Sequence, residues 1–258
     1  MTTSKARVFW LPIVLALFAG LSGCGGTKIL KEPQPLAPQQ SLVTGSDARV
    51  TGMLDWVIVR GGPGTWAKNA DWDEYLLTVR NDSAAPIVVT AVTVTDSSET
   101  QHSPMASRKK LVKASKQTAK RYRGQGIKVK AGVGGGALLV TGVLSANVGM
   151  GAGAAAVYGS SAAAGAAAGA LVLAPVLVVG GVVKGVNNNK VNAEIESRQT
   201  TLPLQVESGS SQSFDMFFPI SPSPLRVRIE YYDATGEHAL ELDTSAALDG
   251  LHLPEEGA

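Results

Sequence analysis

From Ala131 to Val183 the chain runs for 53 residues without a charged side chain, and thirteen of those residues are glycine. No other feature constrains the fold as much. A surface helix needs a polar face and a half-exposed strand needs polar alternation, and this tract supplies neither. Each glycine inside a helix costs about 1 kcal/mol against alanine. Helices of this composition make sense only where close backbone packing offsets that cost. The rest of the chain must fold around a block that is no ordinary core element.

The glycines have a period. Gly132 and Gly136, Gly149 and Gly153, and Gly165 and Gly169 each show the small-xxx-small spacing that clears one helical face. These six are the expected helix-packing residues. At about 20 residues per crossing, the tract has room for two membrane helices, with Gly159-Ser160-Ser161 as the turn. Lys128 and Lys130 at one end, and Lys184 and Lys190 at the other, would then be interfacial anchors on one side. Two other readings stand beside that one: a soluble Ala/Gly hairpin packed on the body, and a low-complexity loop. Only Ala137–Leu144 and Ala170–Val183 are strongly apolar, and Pro175 would kink the second helix. Such weak hydropathy favours helices that pack on other helices, and a second copy of the chain is the simplest source of these.

The flanks read as β. Before the tract, Val50, Leu54, Trp56 and Ile58 fall mostly on alternate positions, Tyr75, Leu77 and Val79 alternate, and Asn81-Asp82-Ser83 marks a turn. Pro86 opens the β-branched run Ile87–Thr95. After the tract, three sets alternate: Leu202, Leu204 and Val206; Phe214, Met216 and Phe218; and Leu225, Val227, Ile229 and Tyr231. A loop at Asp233-Ala234-Thr235-Gly236 then leads into His238–Leu242. About three strands precede the tract and four follow. Neither set buries two faces alone, so the expected class is mainly β with an α insertion; the alternative is two small β modules. Seven short strands with frequent turns resemble an immunoglobulin-like sandwich, although no inter-sheet disulfide is available. Many unrelated exported proteins share that architecture, so it implies little about function.

Charge is segregated. Between Thr100 and Ala193 there is no Asp or Glu, but there are twelve basic residues: Arg108, Lys109, Lys110, Lys113, Lys116, Lys120, Arg121, Arg123, Lys128, Lys130, Lys184 and Lys190. These are the expected membrane-surface basic residues. Met105–Arg123 is predicted as a helix capped by Ser103, with Pro104 in its first turn. Leu111, Ser115, Thr118 and Tyr122 share its thin apolar face, which suggests a helix resting on something anionic more than one sunk into a core. A solvated linker helix is the plainer alternative.

The N-terminus supplies a compartment. Lys5 and Arg7 precede an apolar run from Val8 to Leu21, too short to span a bilayer comfortably, and Leu21-Ser22-Gly23-Cys24 follows. These four residues resemble the lipobox of bacterial lipoproteins, and Cys24 is the only cysteine of the chain. The resemblance implies removal of residues 1–23, lipidation of Cys24 with palmitate-class acyl chains, and stable anchoring. Gly25 in place of aspartate implies outer-membrane sorting, with the protein facing the periplasm. The expected organisation is a signal peptide (1–23), a Pro-rich tether (24–41), the first part of the sandwich (42–100) and a basic helical segment (101–130). A hydrophobic hairpin (131–186) and the second part of the sandwich with a C-terminal tail (187–258) complete it.

Little points to catalysis. His102, His238 and His252 stand at no metal-ligand spacing, and no cofactor or metal is expected. Gly132-Val133-Gly134-Gly135-Gly136 lacks the Gly-Lys-Ser/Thr ending of a phosphate loop. Asp71, Asp73 and Glu74 cluster near Trp66 and Trp72, a group suited to a sugar or a cation, but more often a polar loop with tryptophans capping a sheet edge. Export argues against nucleic acid as a partner despite the basic stretch. The expected partners are membrane lipid through Cys24 and either further copies of the chain or an envelope complex. The sequence thus predicts a non-enzymatic lipoprotein that oligomerises or docks through its glycine-spaced hairpin. The alternatives are a pore-forming lipoprotein and a periplasmic ligand-binding sandwich with a second anchor.

Overall fold

A computed structural model describes residues 27–33, 35–36, 40–129 and 184–254. Cys24 and Lys130 lie outside the described residues. So do all six glycines expected to pack helices, namely Gly132, Gly136, Gly149, Gly153, Gly165 and Gly169. The described chain is mainly β. Its strands are β1 (Lys28–Ile29), β2 (Val43–Ser46), β3 (Val50–Ile58), β4 (Ala67–Lys68), β5 (Asp73–Asn81), β6 (Ile87–Thr95), β7 (Gln101–His102), β8 (Leu204–Val206), β9 (Ser211–Phe218), β10 (Arg226–Asp233) and β11 (Gly236–Asp243). Two helices, α1 (Arg108–Gly124) and α2 (Lys184–Arg198), separate β7 from β8.

Two antiparallel sheets dominate. One runs β2-β3-β5-β9, and the other runs β11-β10-β6, with β7 and β8 both paired to β6. Strands from before and after the helices are neighbours: β5 pairs with β9, and β6 pairs with β8 and β10. The alternating residues Tyr75, Leu77, Val79, Phe214, Met216, Phe218, Val227, Ile229 and Tyr231 join one core between the sheets. At Gly52 the sheets pack closely, since a Cβ there would meet Leu240 Cδ2 at 2.7 Å.

One alternation breaks. The spacing of Val50, Leu54, Trp56 and Ile58 would send all four to one face. The register with β5 shifts between Leu54 and Trp56, leaving Asp55 as the extra residue of a bulge. Such a slip exchanges the faces. Val57 and Val59 therefore enter the core between the sheets, and Trp56 and Ile58 turn outward. Asp55 accepts hydrogen bonds from Ser41 Oγ and Thr78 Oγ1, both at 2.7 Å.

The sheets end at two poles. At one, short turns join the strands, and Asn81 ties them together by donating to Ala85 O and Val206 O at 2.8 and 3.0 Å. The other pole is roofed by α1, α2 and the small β1-β4 sheet. Part of the expected Pro-rich tether (24–41) belongs to this roof: β1 pairs with β4, and Leu30 N–H donates to Trp66 O at 2.8 Å.

Candidate functional site

The roofed pole is where polar and basic groups converge. α1 begins at Arg108, not at Met105. The physical reason is that Met105 N–H is taken by Phe217 O (2.8 Å), which holds the preceding chain along β9. Ser103 and Pro104 therefore cap nothing. The first orphan N–H of the helix, on Arg108, is satisfied from outside by Asn192 Oδ1 of α2 at 3.1 Å.

Leu111, Ser115, Thr118 and Tyr122 do share one face of α1, but that face is buried. The expectation of a helix resting lightly on something anionic is corrected for this side. Of its two small polar residues, Ser115 is bonded to the body. Ser115 Oγ lies 2.6 Å from Asp71 O and accepts Ile220 N–H at 3.0 Å. Tyr122 OH sits 2.8 Å from Ser97 Oγ and accepts Ser98 N–H at 3.0 Å. Next to Tyr122, Arg121 forms an ion pair with Asp96. Asp96 also accepts Ser98 N–H, Thr100 N–H and His102 Nε2 at 2.9, 3.1 and 2.8 Å. Burial alone would raise this carboxyl, yet the bonds from His102, Ser98 and Thr100 hold it down at about 2.

A second apolar cluster lies outside the four-stranded sheet. The register places Ile58, Glu74 and Phe217 in one row across β3, β5 and β9. Over this row sit Trp66 and Trp72, with Leu111 from α1 and Val191 and Ile195 from α2. Trp66 meets Phe217 edge-on at 6.2 Å and Trp72 at 6.3 Å. Both tryptophans are 3% exposed, so neither offers the open platform that sugar stacking requires. A shallow cleft beside them is lined in part by Thr65, Trp66 and Glu74.

Charges ring this cluster. Trp66 Nε1 donates to Glu74 Oε2 at 2.7 Å, and the Arg198 guanidinium stands 5.0 Å over the Trp66 ring and 3.6 Å from Glu74 Oε1. Burial pushes Glu74 up to about 7 despite that cation, and pushes Asp215 on β9 up to about 6. Deeper in the pole, His252 Nε2 lies 2.8 Å from Asp73 Oδ2, both buried. His238 is bonded to Asp233 at the opposite pole, at 3.1 Å. Each histidine thus has an aspartate, but the three pairs are dispersed. Sequence spacing had no means of finding the Asp73–His252 pair, whose members are 179 residues apart.

The basic residues divide into two groups. Arg108 and Arg121 turn towards the body, Arg108 Nη1 reaching Thr27 Oγ1 at 3.3 Å. Lys109, Lys110, Lys113, Lys116, Lys120, Arg123 and Lys128 are exposed, as is Lys190 on α2, while Lys184 opens α2. Among the described residues no group of three His, Cys, Asp or Glu side chains is placed to hold a metal ion, and no helix is long and apolar enough to cross a membrane. No known family model, curated protein or solved structure matches the chain.

Proposed function

We propose that this chain is a non-enzymatic outer-membrane lipoprotein facing the periplasm, a structural or assembly component of an envelope complex. It associates through the glycine-spaced hairpin of 131–186. The observation that carries this reading is the convergence at the roofed pole. Thr27, three residues beyond Cys24, docks on Arg108 at the start of α1. α1 leads into the tract and α2 leads out of it, and both pack on the same second cluster. Thr27 and the two helices that border the tract thus lie at one end of the described body, which supports a membrane-facing base there.

The β body fits an immunoglobulin-like sandwich in its strand order. The long strands β3, β5 and β9 share one sheet, and β6, β8, β10 and β11 share the other. The insert falls between β6 and β8. In this reading the sandwich is a carrier and the insert holds the specificity.

The test is the mass of the acylated chain in mild detergent. The wild type is expected above monomer mass by light scattering, and Gly165→Leu is expected to return it to monomer by refilling the cleared helical face. A monomeric wild type, or an oligomer indifferent to Gly165→Leu, overturns the reading.

A further inference from the structure

We propose that the outward stripe of α1, formed by Lys109, Lys113, Lys116, Lys120 and Arg123, is a docking face for the anionic phosphate headgroups of a bilayer. The proposal rests on the lipid-anchor reading of Cys24 and adds the surface that lies down on that membrane.

The geometry comes first. The five residues follow each other at intervals of four, three, four and three, which puts them within about 80° of one another on a helix. They are exposed, and the side opposite them is the buried face of Leu111, Ser115, Thr118 and Tyr122. From Lys109 to Arg123 the stripe is about 21 Å long.

The stripe is also without counter-charge. Among the described residues none of its members has an acidic partner, and α1 itself contains no Asp or Glu. The contrast is local: Arg121, on the flank of the same helix, pairs with Asp96, and Arg226 on β10 pairs with Glu99 at 2.6 Å. Four of the five are lysines, strongly hydrated point charges on flexible stems. That chemistry suits a diffuse layer of phosphates better than one fixed bidentate ligand.

Position selects the occupant. Thr27 is held at the first turn of α1 by Arg108. The three residues back to Cys24 span at most about 10 Å. Acyl chains on Cys24 would therefore keep the start of α1 close to the headgroups. That proximity to the anchor favours lipid headgroups over a nucleic acid or an acidic protein as the occupant.

Because acylated Cys24 has no free thiol, one added cysteine is uniquely labelled in the full chain. Lys116→Cys reports the stripe, and Ala84→Cys reports the exposed turn between β5 and β6 at the far pole. Each labelled lipoprotein is placed on phosphatidylcholine vesicles made with or without phosphatidylglycerol, carrying a headgroup-attached quencher. Position 116 is expected to be quenched and position 84 spared. Phosphatidylglycerol should strengthen the quenching and salt should weaken it. Lys109→Gln, Lys113→Gln and Lys120→Gln, added together to Lys116→Cys, should lower the docked-to-undocked ratio by about fivefold per charge. If the chain stays on vesicles but position 116 is no more quenched than 84, or ignores phosphatidylglycerol, the stripe proposal fails and the anchor reading survives. An acylated chain that does not attach at all overturns both. A label response set by protein concentration instead of lipid charge assigns the stripe to a second copy and overturns the proposal.

Discussion

The core between the sheets and the cluster beneath the helices are built on different terms. The first is aliphatic and aromatic, assembled from strands on both sides of the insert. The second has eight buried apolar residues, with Glu74, Arg198 and Asp215 around them. Burying those charges costs free energy that their mutual attraction only partly offsets. The difference teaches that the sheets are held mainly by apolar packing, while the helices are latched onto them through a cluster whose buried charges make the latch conditional. Both segments that border the uncharged tract hang on the conditional part.

The most direct way to break this comparison is to make one deletion in each core. Leu77→Ala and Ile195→Ala both remove a fully buried aliphatic side chain, a change costing about 2–5 kcal/mol. Leu77→Ala is expected to destabilise the whole body in one cooperative transition. Ile195→Ala is expected to release the latch, with amide exchange rising in α1 and α2 and staying slow in β5, β6 and β10. Equal acceleration in the sheets would show that the two cores unfold as a unit.

How much of this was legible in the sequence follows the same division. Strand alternation exposed the first core, because period two survives wherever one face is buried; Tyr75, Leu77 and Val79 are all 0% exposed. It failed at Asp55, where a bulge changes the face without changing the composition. The buried face of α1 was visible as a stripe, but its depth was not. Ser115 and Thr118 make that stripe look thin, and only the fold brings Asp71 O and Ile220 N–H to Ser115. The apolar partners, Val191 and Ile195, lie beyond the whole uncharged tract. Two-residue β1 carries no periodic signal at all. Trp66 and Glu74 were visible as neighbours in the chain, but the role of Arg198 above them required the fold.

The latch should respond to pH. Glu74 has its folded pKa raised from 4.5 to about 7, by burial against the pull of Arg198. A carboxyl raised in this way favours the folded state most while protonated. Its contribution is full below about 4.5 and drains away as pH rises through about 7. Asp215, raised to about 6, acts in the same direction. Exchange in α2 should therefore be faster at pH 8 than at pH 5, by an opening free energy on the order of 3 kcal/mol. Glu74→Gln keeps an acceptor for Trp66 and should flatten most of that dependence. An unchanged pH profile would remove Glu74 from the latch.

The acid side sharpens the comparison further, because the same roof contains a carboxyl of opposite behaviour. Asp96 is lowered from 3.8 to about 2, since hydrogen bonds from His102, Ser98 and Thr100 outweigh its burial. Its stabilisation is present above about 3.8 and is lost as pH falls through about 2. Asp96 anchors the C-terminal end of α1 through Arg121, whose side chain is 32% exposed and partly screened by water. Asp96→Asn is thus expected to cost only about 1–2 kcal/mol at neutral pH. Its effect should be confined to exchange in the last turns of α1 and the loop at 96–100. α2, held by Arg198 and Ile195 at the other side of the roof, should keep its wild-type exchange. If Asp96→Asn loosens α2 as much as α1, the roof opens as a single lid, and the two helices cannot be released separately by acid and by base.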